Sequence, residues 1–165
     1  MSLHRLPPLL FGSLLLLGAA LAGGCSKAPP ASTAKPPPEA AAHGHAHTAQ
    51  QGGVLAELGD EEFHLEFTHG DGPGVLRAFV MDGEAEKFVR LDLPSFAATV
   101  RSGDRDYPVV FQATASGDTG EKVGDTALFE AATGLPGKPA VTITVPVLPL
   151  KGRAYRDITV TLPAN

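Results

Sequence analysis

The chain reads as an all-β protein, an antiparallel β-sandwich of about eight strands with a small β-barrel as the alternative, preceded by a disordered linker. Three observations predict this. Short apolar alternations recur after Gly52-Gly53, turn-forming residues separate them at short intervals, and no stretch keeps apolar residues at the three-and-four spacing of a helix.

The first strand is expected over Val54 to Leu58 and reverses at Gly59-Asp60. In the second, Phe63, Leu65 and Phe67 alternate with His64, Glu66 and Thr68, so the two sets face opposite sides of the sheet. Asp71-Gly72-Pro73-Gly74 turns the chain into Val75 to Met81, and Asp82-Gly83 turns it again. Strands over Phe88 to Leu93 and Phe96 to Arg101 follow, with Pro94 between them at a strand end. Ser102-Gly103-Asp104 leads into Pro108 to Ala115. From Ser116 to Gly137 the alternation lapses, and the segment reads as a long connection anchored at Ala127-Leu128-Phe129. Val141, Ile143, Val145 and Val147 resume the alternation, Lys151-Gly152 turns it, and Tyr155 to Leu162 closes the domain.

The amino-terminal portion has another texture. Leu9 to Leu21 is apolar, Arg5 precedes it, and Ala22-Gly23-Gly24 leads to Cys25, the one cysteine of the chain. This resembles a bacterial lipoprotein signal, which implies cleavage before Cys25 and lipid (diacylglycerol and a further acyl chain such as palmitate) on the new terminus. Residues 1–24 are then a signal peptide and 25–51 a lipid-anchored Pro/Ala/His-rich linker, with the β domain over 52–165. At about 3.1 Å per residue, the linker lets the domain stand up to about 80 Å from the bilayer. Membrane attachment at Cys25 places the protein in the bacterial envelope. Ser26 resembles the residue that sorts such proteins to the periplasmic face of the outer membrane rather than to the inner membrane.

Composition narrows the chemistry. The formal charge of −5 becomes about −6 once Arg5 is removed, and no basic run interleaved with aromatics exists, so nucleic acid is not an expected partner. Lys151, Arg153 and Arg156 form the one local basic cluster, in the last expected hairpin, where charge protects an edge strand. With Cys25 consumed by lipid, a metal site must use imidazole and oxygen.

Five of the six histidines lie between positions 43 and 69. His43, His45 and His47 form H-x-H-x-H, and alternate residues of an extended chain project to one side about 7 Å apart. His64 and Glu66 share the outward face of the second strand, and His69 ends it. Glu57, Asp60, Glu61 and Glu62 add oxygen atoms in the adjoining hairpin. The expected metal ligands are therefore His43, His45, His47, His64, Glu66 and His69. The mixed donor set suits Cu²⁺, Zn²⁺ or Ni²⁺ better than Cu⁺, which favours thiolate and thioether; Met81 is the one methionine after Met1.

The run Gly52-Gly53-Val54-Leu55-Ala56-Glu57, then His64-Leu65-Glu66-Phe67, then Gly74-Val75-Leu76 through Asp82-Gly83, resembles a set of exported bacterial proteins that accompany heavy-metal efflux adaptors. The resemblance spans about a third of the chain and implies periplasmic metal handling, with an envelope or efflux protein as partner. It transfers His64 and Glu66 as ligands. The chain has no long helical hairpin, so it is not itself a complete adaptor.

No catalytic motif emerges. Gly137-Lys138 lacks the first glycine and the Ser or Thr of a phosphate loop, and G-x-S-x-G, H-E-x-x-H and EF-hand spacings are missing. The expectation is a non-enzymatic, lipid-anchored protein that binds or buffers divalent transition metal ions. The alternative is an envelope protein-interaction module with no metal role.

Overall fold

The computed structural model describes residues 46–116 and 120–165. The predicted signal, Cys25, His43 and His45 lie outside the described residues. Among the described residues, eight strands form one antiparallel sheet that is nearly closed into a barrel, in the order β1-β2-β3-β6-β5-β4-β7-β8. They are β1 Val54–Leu58, β2 Phe63–His69, β3 Val75–Asp82, β4 Ser95–Ser102, β5 Arg105–Ala113, β6 Leu128–Ala132, β7 Val141–Leu150 and β8 Arg153–Leu162.

Local chemistry sets the hairpins. Lys151 and Gly152 both take positive φ (49° and 83°) between the paired residues Leu150 and Arg153, as a two-residue turn matched to strand twist requires. Leu58 and Phe63 pair across the 59–62 turn, and the Glu62 N–H donates to the Leu58 carbonyl. Pro108, which has no N–H, pairs with Thr99 on one side and lies beyond the end of β6 on the other.

The all-β, antiparallel architecture is as the sequence predicts, and both expected geometries leave their mark. The sheet is continuous but thinnest between β5 and β6, where Gln112↔Glu130 and Ala113↔Phe129 make the whole ladder. The halves on either side meet across one apolar interior. Phe96 of β4 stacks on Phe111 of β5 at 5.0 Å and tilts against Phe129 of β6 at 5.2 Å, while Phe67 of β2 meets Phe111 edge-on at 5.6 Å.

The outer strands β1 and β8 come alongside each other yet pair through no backbone ladder among the described residues. Side chains close this seam at its two ends. Glu62 takes the Tyr155 hydroxyl at 2.6 Å and pairs with Arg153, and at the other end His69 Nε2 donates to the Pro163 carbonyl at 2.9 Å. Between the ends a cleft of about 570 Å³ runs along Leu55–Gly59 and Arg153–Thr159.

Three local expectations change. The segment predicted as a strand over 88–93 makes only the isolated bridges Met81↔Phe88 and Leu91↔Thr126, because β6 takes the neighbouring edge of β3. Leu128 and Phe129 of the patch predicted as a mere anchor point belong to β6, and Glu121 ties its approach by accepting the Ala127 N–H and the Thr126 hydroxyl. Val147 does not continue the inward set. It is 39% exposed, while Leu148 and Leu150 are buried, because the hairpin kinks at Pro146 and Asp157 (φ 54°) and the facing of both strands shifts there.

Candidate metal centre

Strand β2 is buried on both faces. Leu65 and Phe67 enter the barrel core, as alternation demands. His64 and Glu66, expected on an outward face, are only 3% and 0% exposed. What covers them is the chain just before β1. Glu66 accepts three backbone N–H groups from it: Gln50 at 2.9 Å, Gln51 at 2.8 Å and Gly53 at 2.9 Å. A carboxylate buried without partners is costly, and three amide donors supply what water supplied in the unfolded chain. Gln50 and Gln51, assigned to the linker by sequence, are thus fastened to the β domain.

The cover lies very close to the sheet. A Cβ on Gly53 would fall 2.1 Å from the Phe67 carbonyl oxygen and 2.5 Å from the Thr68 methyl carbon, so only glycine fits. The strap so held brings His47 onto His64, with ring centroids 4.5 Å apart and planes tilted by 54°.

Both rings are oriented by the turn after β3. His47 Nδ1 lies 3.2 Å from the Glu84 carbonyl oxygen, and His64 Nδ1 lies 3.2 Å from the Asp82 carbonyl oxygen. A carbonyl only accepts, which assigns the proton to Nδ1 and the lone pair to Nε2 in each neutral ring. A backbone carbonyl behind Nδ1 is how metal-binding imidazoles are commonly oriented. His47 Nε2 in turn lies 3.8 Å from Glu61 Oε1.

The turns that carry these groups are held in unusual backbone. Glu61 (φ 55°) and Ala85 (φ 53°) are two of the four non-glycine residues with positive φ among the described residues. They touch through Gly83, where a Cβ would fall 2.3 Å from the Glu61 carbonyl oxygen. Asp82 starts the second turn by accepting the Glu86 and Lys87 N–H groups at 2.9 and 3.1 Å. Burial acts to raise its pKa, but those N–H groups, with the nearby charge of Lys87, outweigh it and hold the carboxyl below the usual range.

Of the ligands expected from sequence, His47 and His64 are brought together. Glu66 is two residues along the same face, with its oxygens engaged by the strap. His69 stands at the far end of β2, about 16 Å from His64 at 3.3 Å per residue, and serves the seam. Among the described residues, no group of three or more His, Cys, Asp or Glu side chains is already gathered for an ion. Sequence reasoning missed the carbonyls of Asp82 and Glu84, though Asp82-Gly83 marked the turn that presents them. The chain matches no protein-family model, no curated protein and no solved structure.

Proposed function

We propose that the protein is a lipid-anchored, periplasmic binder or buffer of divalent transition metal ions that serves metal efflux or resistance without catalysing a reaction. The observation that supports this best is the pairing of His47 with His64, each imidazole held through Nδ1 by a backbone carbonyl so that Nε2 carries the lone pair. His43 and His45, two and four residues before His47, would bring further imidazoles to the same ion. Nitrogen and oxygen donors without thiolate favour Cu²⁺, Zn²⁺ or Ni²⁺. Cys25 would carry the lipid that keeps the domain at the outer membrane, with residues 26–45 as its tether.

Calorimetric titration of the full chain with Zn²⁺, Cu²⁺ and Ni²⁺ tests this reading. One-to-one binding that weakens at least tenfold in His64→Ala is the expected result. Affinity no tighter than that of an isolated peptide carrying the His43 to His47 tract would overturn it and leave an envelope interaction module as the better reading.

A further inference from the structure

Resting on that reading, we infer that the carboxylate of the metal site is Glu61, and that Glu66 is a positioning residue which fastens the strap and thereby sets His47 against His64. The two carboxylates differ in what they touch. Both Glu66 oxygens face backbone N–H groups of Gln50, Gln51 and Gly53, inside a covered face of the sheet. Ligation by Glu66 would compete with those amides for its oxygens and loosen the segment that carries His47.

Glu61 is placed the other way. Its Oε1 faces His47 Nε2 at 3.8 Å, and its side chain is 31% exposed, so it can turn toward an ion without leaving a buried group behind. Two donors about 2.1 Å from one tetrahedral ion sit about 3.4 Å apart, so the present separation needs a closure of only about 0.4 Å. The positive φ at Glu61 is an independent sign. The turn holds a non-glycine residue in a disfavoured conformation beside the paired imidazoles, and Gly83 is packed against its carbonyl to keep it there. Two imidazoles and one carboxylate leave a fourth position for water, a donor set found with Zn²⁺.

The test compares Glu61→Gln, Glu66→Gln and Gly53→Ala in the full chain, by Zn²⁺ calorimetry and by amide hydrogen exchange of the metal-free protein. Glu61→Gln is expected to lower Zn²⁺ affinity tenfold or more with exchange at Gln50, Gln51 and Gly53 unchanged. Glu66→Gln is expected to deprotect Gln50, Gln51 and Gly53 while β3 and β4 amides stay protected, and to cost tenfold to a hundredfold in affinity. The cost should vanish when His47→Ala is already present. Gly53→Ala, which crowds the strap off the sheet without altering any carboxylate, should deprotect Gln50 and Gln51 as Glu66→Gln does.

Unchanged Zn²⁺ affinity in Glu61→Gln would overturn the ligand assignment. Retained protection at Gln50 and Gln51 in Glu66→Gln, or a loss of affinity that adds to that of His47→Ala, would overturn the positioning role. If the unaltered chain fails to bind Zn²⁺, the metal reading and Glu61 ligation fall together, while the exchange experiment still decides whether Glu66 holds the strap.

Discussion

Tyr155 donates its hydroxyl to Glu62 at 2.6 Å across the seam between β1 and β8, which among the described residues has no backbone ladder. The ring also meets Phe63 edge-on at 6.2 Å, so one side chain ties β8 to the end of the β1–β2 hairpin by both packing and a charge-assisted bond. Tyr155→Phe keeps the packing and deletes the bond. The expected loss is about 1–2 kcal/mol in unfolding free energy, read from urea denaturation, with the Arg153 ion pair keeping Glu62 from being left wholly alone.

The same contact gives an alkaline limit. Burial, then the bond and negative charge of Glu62, push the Tyr155 phenol above its usual pKa. A group raised in the folded state contributes stability that is full below the unfolded value near 10 and is lost as pH rises through the folded value. Stability measured between pH 8 and 11 should therefore fall beyond about pH 10, and Tyr155→Phe should flatten that fall. Equal slopes in the two proteins would exclude this contact as the cause.

Asp82 sets the opposite limit. Its pKa is lowered in the folded state, so its contribution is present above the unfolded value near 3.9 and lost as pH falls through the folded value. Asp82→Asn should destabilise the protein at pH 7, and the gap from the unaltered chain should narrow as pH is lowered toward 3. The chemical shift of the His64 ring should move as well, because the same turn presents the carbonyl that its Nδ1 faces.

What was legible in the sequence was alternation and reversal. Strands β1, β2 and β3 follow directly from apolar residues spaced by two between Gly-Asp and Asp-Gly turns. Leu128–Ala132 was opaque as a strand because Ala131 and Ala132 give it little apolar contrast, and its pairing depends on β3 and β5, far away in sequence. The burial of His64 and Glu66 was opaque for a related reason. Alternation assigns them to the outward face, which is correct, but nothing in a two-residue period says that the preceding strap will cover that face. The histidine cluster was visible by composition, whereas the contact between His47 and His64 depends on a carboxylate clasping three amides.

The kink in the last hairpin supplies a sharp test of facing. Val141, Ile143 and Val145 are buried, and the next buried residues of β7 are Leu148 and Leu150, a step of three where alternation allows two. Pro146 has no N–H to give its neighbour, and opposite it Asp157 adopts a positive φ that Asp tolerates better than most residues. Pairing resumes in the same register at Val147↔Arg156, so the strands turn over together instead of slipping. Val145→Ala removes buried methyl groups and should cost about 2 kcal/mol. Val147→Ala, at a half-open position, should stay within about 0.5 kcal/mol of the unaltered chain. Simple alternation would make the two equally costly, so a large loss in Val147→Ala would refute the kink.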